Sequence, residues 1–209
     1  GIELEETESN MASPEYKEQT IKWQNPDATT SQTNWTDGDT IRAAIGQSVN
    51  NYTPVIMNKY IATLANGGTR YKFSVVDKVE TSSGEIIEQS EPVVEQSINI
   101  SQENLDAVYE GMRLVTQGTR GTLRTYFNDF PINVAAKSGT AQENLLRSSH
   151  TWFVGFAPYE NPQISVTVMI PFGEYSPTPS AIVGRNIIAE YMGLNYTPEN
   201  SYMDVELAD

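Results

Sequence analysis

Apolar residues recur at three- and four-residue intervals over 53–68, TPVIMNKYIATLANGG, where Ile56, Met57, Tyr60, Ile61 and Leu64 form one stripe. That is the spacing of an amphipathic helix. Thr53 suits the N-cap, Pro54 the first helical position, and Gly67 with Gly68 the stop. A second helix is predicted after Ser101, with Leu105, Val108, Tyr109, Met112 and Val115 on one face and Gly118 as its end. A third is predicted over 180–192, carrying Ile182, Val183, Ile187, Ile188 and Tyr191 and stopped by Gly193.

Elsewhere the period falls to two. QISVTVMI, 163–170, alternates Ile164, Val166, Val168 and Ile170 with Ser165, Thr167 and Met169, a strand with one buried face. INVAA and TWFVGFA (151–157) are apolar runs short enough for buried strands. The loop PYENP between the last two is short, so they should form an antiparallel hairpin. Over 69–100, RYKFSVVDKVE and EIIEQSEPVV flank TSSG, the signature of a hairpin turn. Residues 7–40 are rich in Thr, Ser, Asn, Asp and Glu and read as a turn-rich surface excursion closed by Asp37-Gly38. The expected fold class is α+β, with three C-terminal strands in one antiparallel sheet and helices packed against it. One domain portion is expected over 1–193, followed by a frayed acidic tail, 194–209.

Composition narrows the chemistry. The 209 residues include 13 Lys+Arg against 27 Asp+Glu, a formal charge of −14, which argues against a polyanion-binding face and so against nucleic acid. There are no cysteines, so disulfides, zinc-thiolate sites and Cys nucleophiles are excluded, and the single His150 cannot build a multi-histidine metal site. No apolar run reaches the roughly 18–20 residues of a spanning helix. The chain opens on Gly1-Ile2-Glu3-Leu4, in the middle of a pattern, and is expected to be a fragment of a longer one.

The candidate chemistry lies at Lys137-Ser138-Gly139-Thr140, where an apolar run ends. Strand alternation sends Lys137 and Gly139 to one face and Ser138 and Thr140 to the other. An ammonium at the edge of an apolar sheet is expected to be partly desolvated and able to handle protons. Gly139 lets a substrate approach the backbone closely. The two hydroxyls can hold a carboxylate, and the Thr140 N–H at a strand edge can face a developing oxyanion. That is half of an acyl-transfer site; the nucleophile with its base is missing. Gln142 and Trp152 are candidates to line the cleft. The Ser149–His150 neighbours cannot form a dyad readily, because adjacent residues on an extended segment point to opposite faces. The scattered carboxylates Glu85, Glu88 and Glu91 read as a solvated face.

The tetrad resembles the third active-site motif, Lys-Thr/Ser-Gly, of the penicillin-binding protein and serine β-lactamase superfamily. Around it GIEL, W…GDTIRAAIGQ, TP opening a helix, LANGG, GMRLVTQGTRGTL, AAKSGTAQ and TWFVGFAP follow in the order of a class B penicillin-binding protein transpeptidase domain. The resemblance runs from Gly1 to about Gly193 and is nearest to the elongation-type branch, penicillin-binding protein 2 and relatives. Gly118-Thr119 resembles the family's Gly-Thr at the active-site edge, although a helix stop explains it equally well. The family's other motifs, S-x-x-K and S-x-N, belong N-terminal to the GI-L segment. No S-x-x-K occurs here: SPEYK (Ser13, Lys17) and SVVDK (Ser74, Lys78) are each one residue too long. The S-x-N matches at Ser48 and Ser97 read as chance.

The resemblance implies a serine D,D-transpeptidase, with the penicillin-binding protein fold, that cross-links peptidoglycan stem peptides through an acyl-enzyme and is acylated by β-lactams. Lys137 supplies positive charge and a proton path. Ser138 and Thr140 hold the terminal carboxylate, Gly139 clears the approach, and the Thr140 N–H forms one arm of the oxyanion hole. Gln142 and Trp152 border the substrate. No cofactor or metal is implied. The implied partners are an N-terminal segment carrying S-x-x-K and S-x-N and cell-wall synthesis proteins of the membrane. The implied place is the extracytoplasmic face of the cell membrane, with an anchor upstream. This chain alone is expected to be inactive. The rivals are a serine β-lactamase and a non-catalytic sensor or scaffold of the same fold.

Overall fold

A computed structural model describes residues 2–142, 146–173 and 178–195. The element order is α1 (Pro14–Gln24), α2 (Thr30–Thr33), α3 (Asp37–Ala44), α4 (Pro54–Ala65), β1 (Thr69–Tyr71), β2 (Lys78–Glu80), β3 (Ile86–Gln89), β4 (Val94–Ser97), α5 (Gln102–Gln117), α6 (Arg124–Phe127), β5 (Ala135–Ala141), β6 (His150–Ala157), β7 (Ile164–Ile170) and α7 (Thr178–Tyr191). The α+β class is borne out. The tail beyond Asn195 lies outside the described residues.

Strands β5, β6 and β7 form an antiparallel sheet in that order. Both faces are covered, and alternation assigns the covers. Ala136, Phe153, Ala157 and Val166 face Leu123, Phe127 and Phe130 and the helix α7 residues Ala181, Ile188 and Ala189. Ala135, Val154 and Phe156 face Ile61 and Leu64 of α4 and Leu105 and Met112 of α5. The adjacent alanines 135 and 136, both fully buried, therefore serve opposite layers.

The helices expected from periodicity are present, with corrections to their faces. Thr53 caps α4 by accepting from the Ile56 N–H, and Ser101 caps α5 by accepting from the Asn104 N–H. In α4, Tyr60 points outward, while Lys59 is buried against Glu95 at 2.6 Å. In α5, Val108 is exposed and Thr116 takes a core place. In α7 the expected stripe of Val183, Ile187 and Tyr191 is exposed; the buried face is Ser180, Ala181, Gly184, Arg185, Ile188 and Ala189. The reason is close approach: a Cβ on Gly184 would lie 2.3 Å from the Phe153 ring, so small residues must face the sheet.

Two further corrections concern the polar half. Residues 7–40 hold helices, not only turns. Ser13 caps α1 ahead of Pro14, and Thr36 with Asp39 forms a capping box on α3. Asp39 is buried and bonded by Lys17 at 2.7 Å, by Thr36 and by Arg42 at 2.9 Å. Over 69–100 the TSSG hairpin exists as β2–β3, but β1 pairs with the distant β4, so two exposed two-stranded ribbons form rather than one hairpin.

Candidate active site

Strand β5 pairs with β6 along one side: Lys137 opposes Val154, Ser138 opposes Phe153, Gly139 opposes Trp152 and Thr140 opposes Thr151. Its other side is not paired with a strand among the described residues. In an antiparallel pair a residue's N–H and C=O point the same way, and the direction alternates along the strand. Three side chains reveal which carbonyls face away from β6. Thr116 donates to the Val134 carbonyl at 2.5 Å, the Lys137 ammonium to Ser138 at 2.6 Å, and the Gln47 carboxamide to Thr140 at 3.1 Å. All three acceptors are even-numbered. On the other parity, the Tyr159 N–H bonds the Asn133 carbonyl across toward β6. The backbone groups of Ser138 and Thr140 therefore lie on the free edge of β5, and those of Lys137 and Gly139 are turned into the sheet.

The side chains divide as alternation requires. Lys137 and Gly139 share the face of Val154 and Trp152; a Cβ on Gly139 would lie 3.2 Å from the Trp152 Cβ. This glycine keeps Trp152 close against β5, and Trp152 is half-buried there. Ser138 and Thr140 share the opposite face, where the Ser138 hydroxyl lies 3.4 Å from that of Thr122. Thr122 was not among the expected residues. Gly118, which with Thr119 read equally well as the family's Gly-Thr or as a helix stop, is the end of α5, its N–H bonded to Leu114. Thr122 is reached because the chain turns after α5, with the Leu123 N–H bonded back to Val115.

One expectation fails. Lys137 is exposed, not desolvated, and its described hydrogen bond is to the neighbouring backbone. Ser138 is half-buried, whereas Thr140 and Gln142 are exposed. The edge thus presents an ammonium, two hydroxyls and two backbone N–H groups together. That set can hold a carboxylate and a developing oxyanion, but it offers no attacking group with a base. Ser149 is buried, and the His150 ring accepts from the Phe172 N–H through Nδ1 at 3.2 Å. Ser97 lies in β4 opposite Thr69. Ser48 sits in the loop after α3 with φ of 68°. Among the described residues no group of acidic, His or Cys side chains could hold a metal.

The family described as penicillin binding protein transpeptidase domain matches residues 8–189. The chain is 30% identical to peptidoglycan D,D-transpeptidase MrdA of Haemophilus influenzae over 92% of its own length and 30% of that protein. It is 31% identical to penicillin-binding protein 2B of Streptococcus pneumoniae over 63% of this chain and 21% of that protein. Among solved structures, Pseudomonas aeruginosa PBP2 in complex with WCK 5153 superposes with a TM-score of 0.69 at 31% identity, covering 89% of this chain and 38% of that one. The chain spans about a third of the length of the MrdA relatives it matches.

Proposed function

This chain belongs to the penicillin-binding protein transpeptidase family, in its PBP2-like branch, and we propose that it forms the Lys137 wall of a serine D,D-transpeptidase cleft whose attacking alcohol comes from a segment outside these 209 residues. The observation that carries the reading is the parity of the β5 edge, which turns the Thr140 N–H and C=O outward beside Lys137 and the Ser138 and Thr140 hydroxyls.

The chemistry follows from the groups. A serine attacks the penultimate D-Ala carbonyl of a stem peptide. The Thr140 N–H stabilises the oxyanion, and the hydroxyls of Ser138 and Thr140 hold the terminal carboxylate with the Lys137 charge close by. The C–N bond breaks, D-Ala leaves with a proton on its amine, and an amine of a second stem takes the acyl group. β-Lactams present the same carbonyl and carboxylate and acylate the same serine. Trp152 and Gln142 border the acyl chain. Lys137, exposed here, becomes desolvated when the segment bearing the nucleophile covers it. The work site is the extracytoplasmic face of the cell membrane, beside membrane-embedded cell-wall synthesis proteins; no helix among the described residues is long and apolar enough to cross a membrane.

Fluorescent penicillin tests the reading. The isolated chain should take no covalent label, since no S-x-x-K is present. The longer protein that supplies the nucleophile should be labelled, and Lys137→Ala should abolish labelling. Stable labelling of the isolated chain, or normal acylation of Lys137→Ala, would overturn it.

A further inference from the structure

The Thr140 carbonyl receives the Gln47 side chain from 93 residues away. The loop that delivers Gln47 is held on every side. Its own N–H bonds to Arg42 at 2.9 Å, and its carbonyl accepts from Asn50 Nδ2 at 2.8 Å. Asn50 also donates to the Ala43 carbonyl at 3.2 Å, and its side-chain oxygen accepts from the Ala12 N–H and the Tyr52 hydroxyl, both at 2.9 Å. Asn10 and Asn51 exchange backbone bonds at 2.6 and 2.9 Å. Inside this frame Ser48 has φ of 68°, a left-handed conformation that a non-glycine residue keeps only when its surroundings over-determine it. With the Gln47 backbone pinned at both ends, its side chain is the part that crosses to β5.

We propose that Gln47 is a positioning residue for acyl transfer: its carboxamide fixes the Thr140 peptide on the free edge of β5, so that the Thr140 N–H keeps its aim at the oxyanion. This rests on the reading of Thr140 given under Proposed function. The carbonyl has a second lone pair, so Gln47 leaves it able to accept from a substrate amide as well. Edge strands lacking a partner strand have no ladder to hold their peptide planes on that side. Here a single carboxamide replaces the ladder at the residue whose N–H matters most. Catalytic donors must be held within a fraction of an ångström to keep their effect.

The test uses the longer, nucleophile-bearing protein, with penicillin acylation followed by stopped flow to separate noncovalent binding from the acylation step. Gln47→Ala and Gln47→Glu should each slow acylation about tenfold, less than the ~10²–10³ typical of deleting an oxyanion donor outright. Noncovalent binding and Tm should stay near wild type, because the contact is exposed. Gln47→Lys, which keeps a long donor, should restore most of the rate. Ser48→Gly should acylate normally, whereas Ser48→Val, which cannot hold the left-handed turn, should reproduce the Gln47→Ala defect and add nothing to it in the double variant. Wild-type rates in Gln47→Ala alongside an inactive Lys137→Ala overturn this inference and leave the transpeptidase reading intact. An unlabelled wild type, or a normally acylated Lys137→Ala, overturns both. A Gln47→Ala defect that Gln47→Lys does not lessen, or that comes with a large drop in Tm, overturns the positioning role.

Discussion

Two β regions of this chain are built from similar residues and end in opposite environments. The β5–β7 sheet is covered on both faces, and Phe153, Phe156, Ala135 and Ala136 have no accessible surface. The β1–β4 and β2–β3 ribbons carry Val79, Ile86, Ile87 and Val94 in their strands, yet all of these are exposed. β-Branched residues fit a pleated backbone in either case. What differs is the supply of covering surface: α4, α5, α6 and α7 enclose the sheet, while the ribbons attach to the body mainly through α4 and β1. Strand propensity therefore reports conformation here, and burial is decided by elements far away in sequence.

The strongest way to break this contrast is Phe153→Ala. The Phe153 ring stacks on Phe127 with centroids 6.0 Å apart and fills the space left by Gly184. Removing it should cost about 3–5 kcal/mol, the usual range for a buried Phe replaced by Ala. Urea unfolding of the variant measures the loss. A cost under about 1 kcal/mol would mean that α7 does not pack on the sheet as described.

That packing also marks where sequence stopped being legible. The three sheet strands, their antiparallel hairpin and the caps at Thr53 and Ser101 follow from local period and local hydrogen-bond chemistry. The face of α7 does not. Its large aliphatics Val183 and Ile187 suggest one buried stripe, but Phe153 needs room, and the glycine and alanine stripe supplies it. The polar helices α1 and α3 were hidden by composition, although Ser13-Pro14 and the Thr36–Asp39 box were readable capping signals. At the candidate site, the lysine-led edge and the two-face split of its side chains were legible as a motif with strand alternation. Gln47 and Thr122 were not: Gln47 reaches the edge across 93 residues and Thr122 across 16, and such contacts leave no local trace.

A smaller effect separates the two regions by pH. The ribbon is tied to the body where Glu95 of β4 accepts from Lys59 at 2.6 Å, with Arg70 at 3.2 Å. The Lys59 bond, outweighing partial burial, holds the Glu95 carboxyl below its ordinary value. A depressed folded-state pKa gives stability that is present above the unfolded value, about 4.3, and is lost as pH falls through the folded one. Strands β5, β6 and β7 contain no Asp or Glu. As pH is lowered from about 6 to about 3, amide hydrogen exchange should therefore lose protection in β1 and β4 before β6. Equal loss in both regions would show that the ribbon is not held by this pair.

The smallest effect probes the ribbon's own surface. Ile87 is 66% exposed on β3, with Ile86 and Val79 close in the same hairpin. Isolated exposed aliphatics contribute little, so Ile87→Ser should change the stability of this chain by no more than about 0.5 kcal/mol. A contiguous exposed apolar patch is different, because such patches tend to be covered. The same substitution made in the longer protein distinguishes the two cases. An unchanged Tm there means that the ribbon stands in solvent, and its contrast with the sheet is a property of the fold. A drop of several degrees means that sequence outside this chain covers Ile87, in which case the two β regions differ only in which part of the protein encloses them.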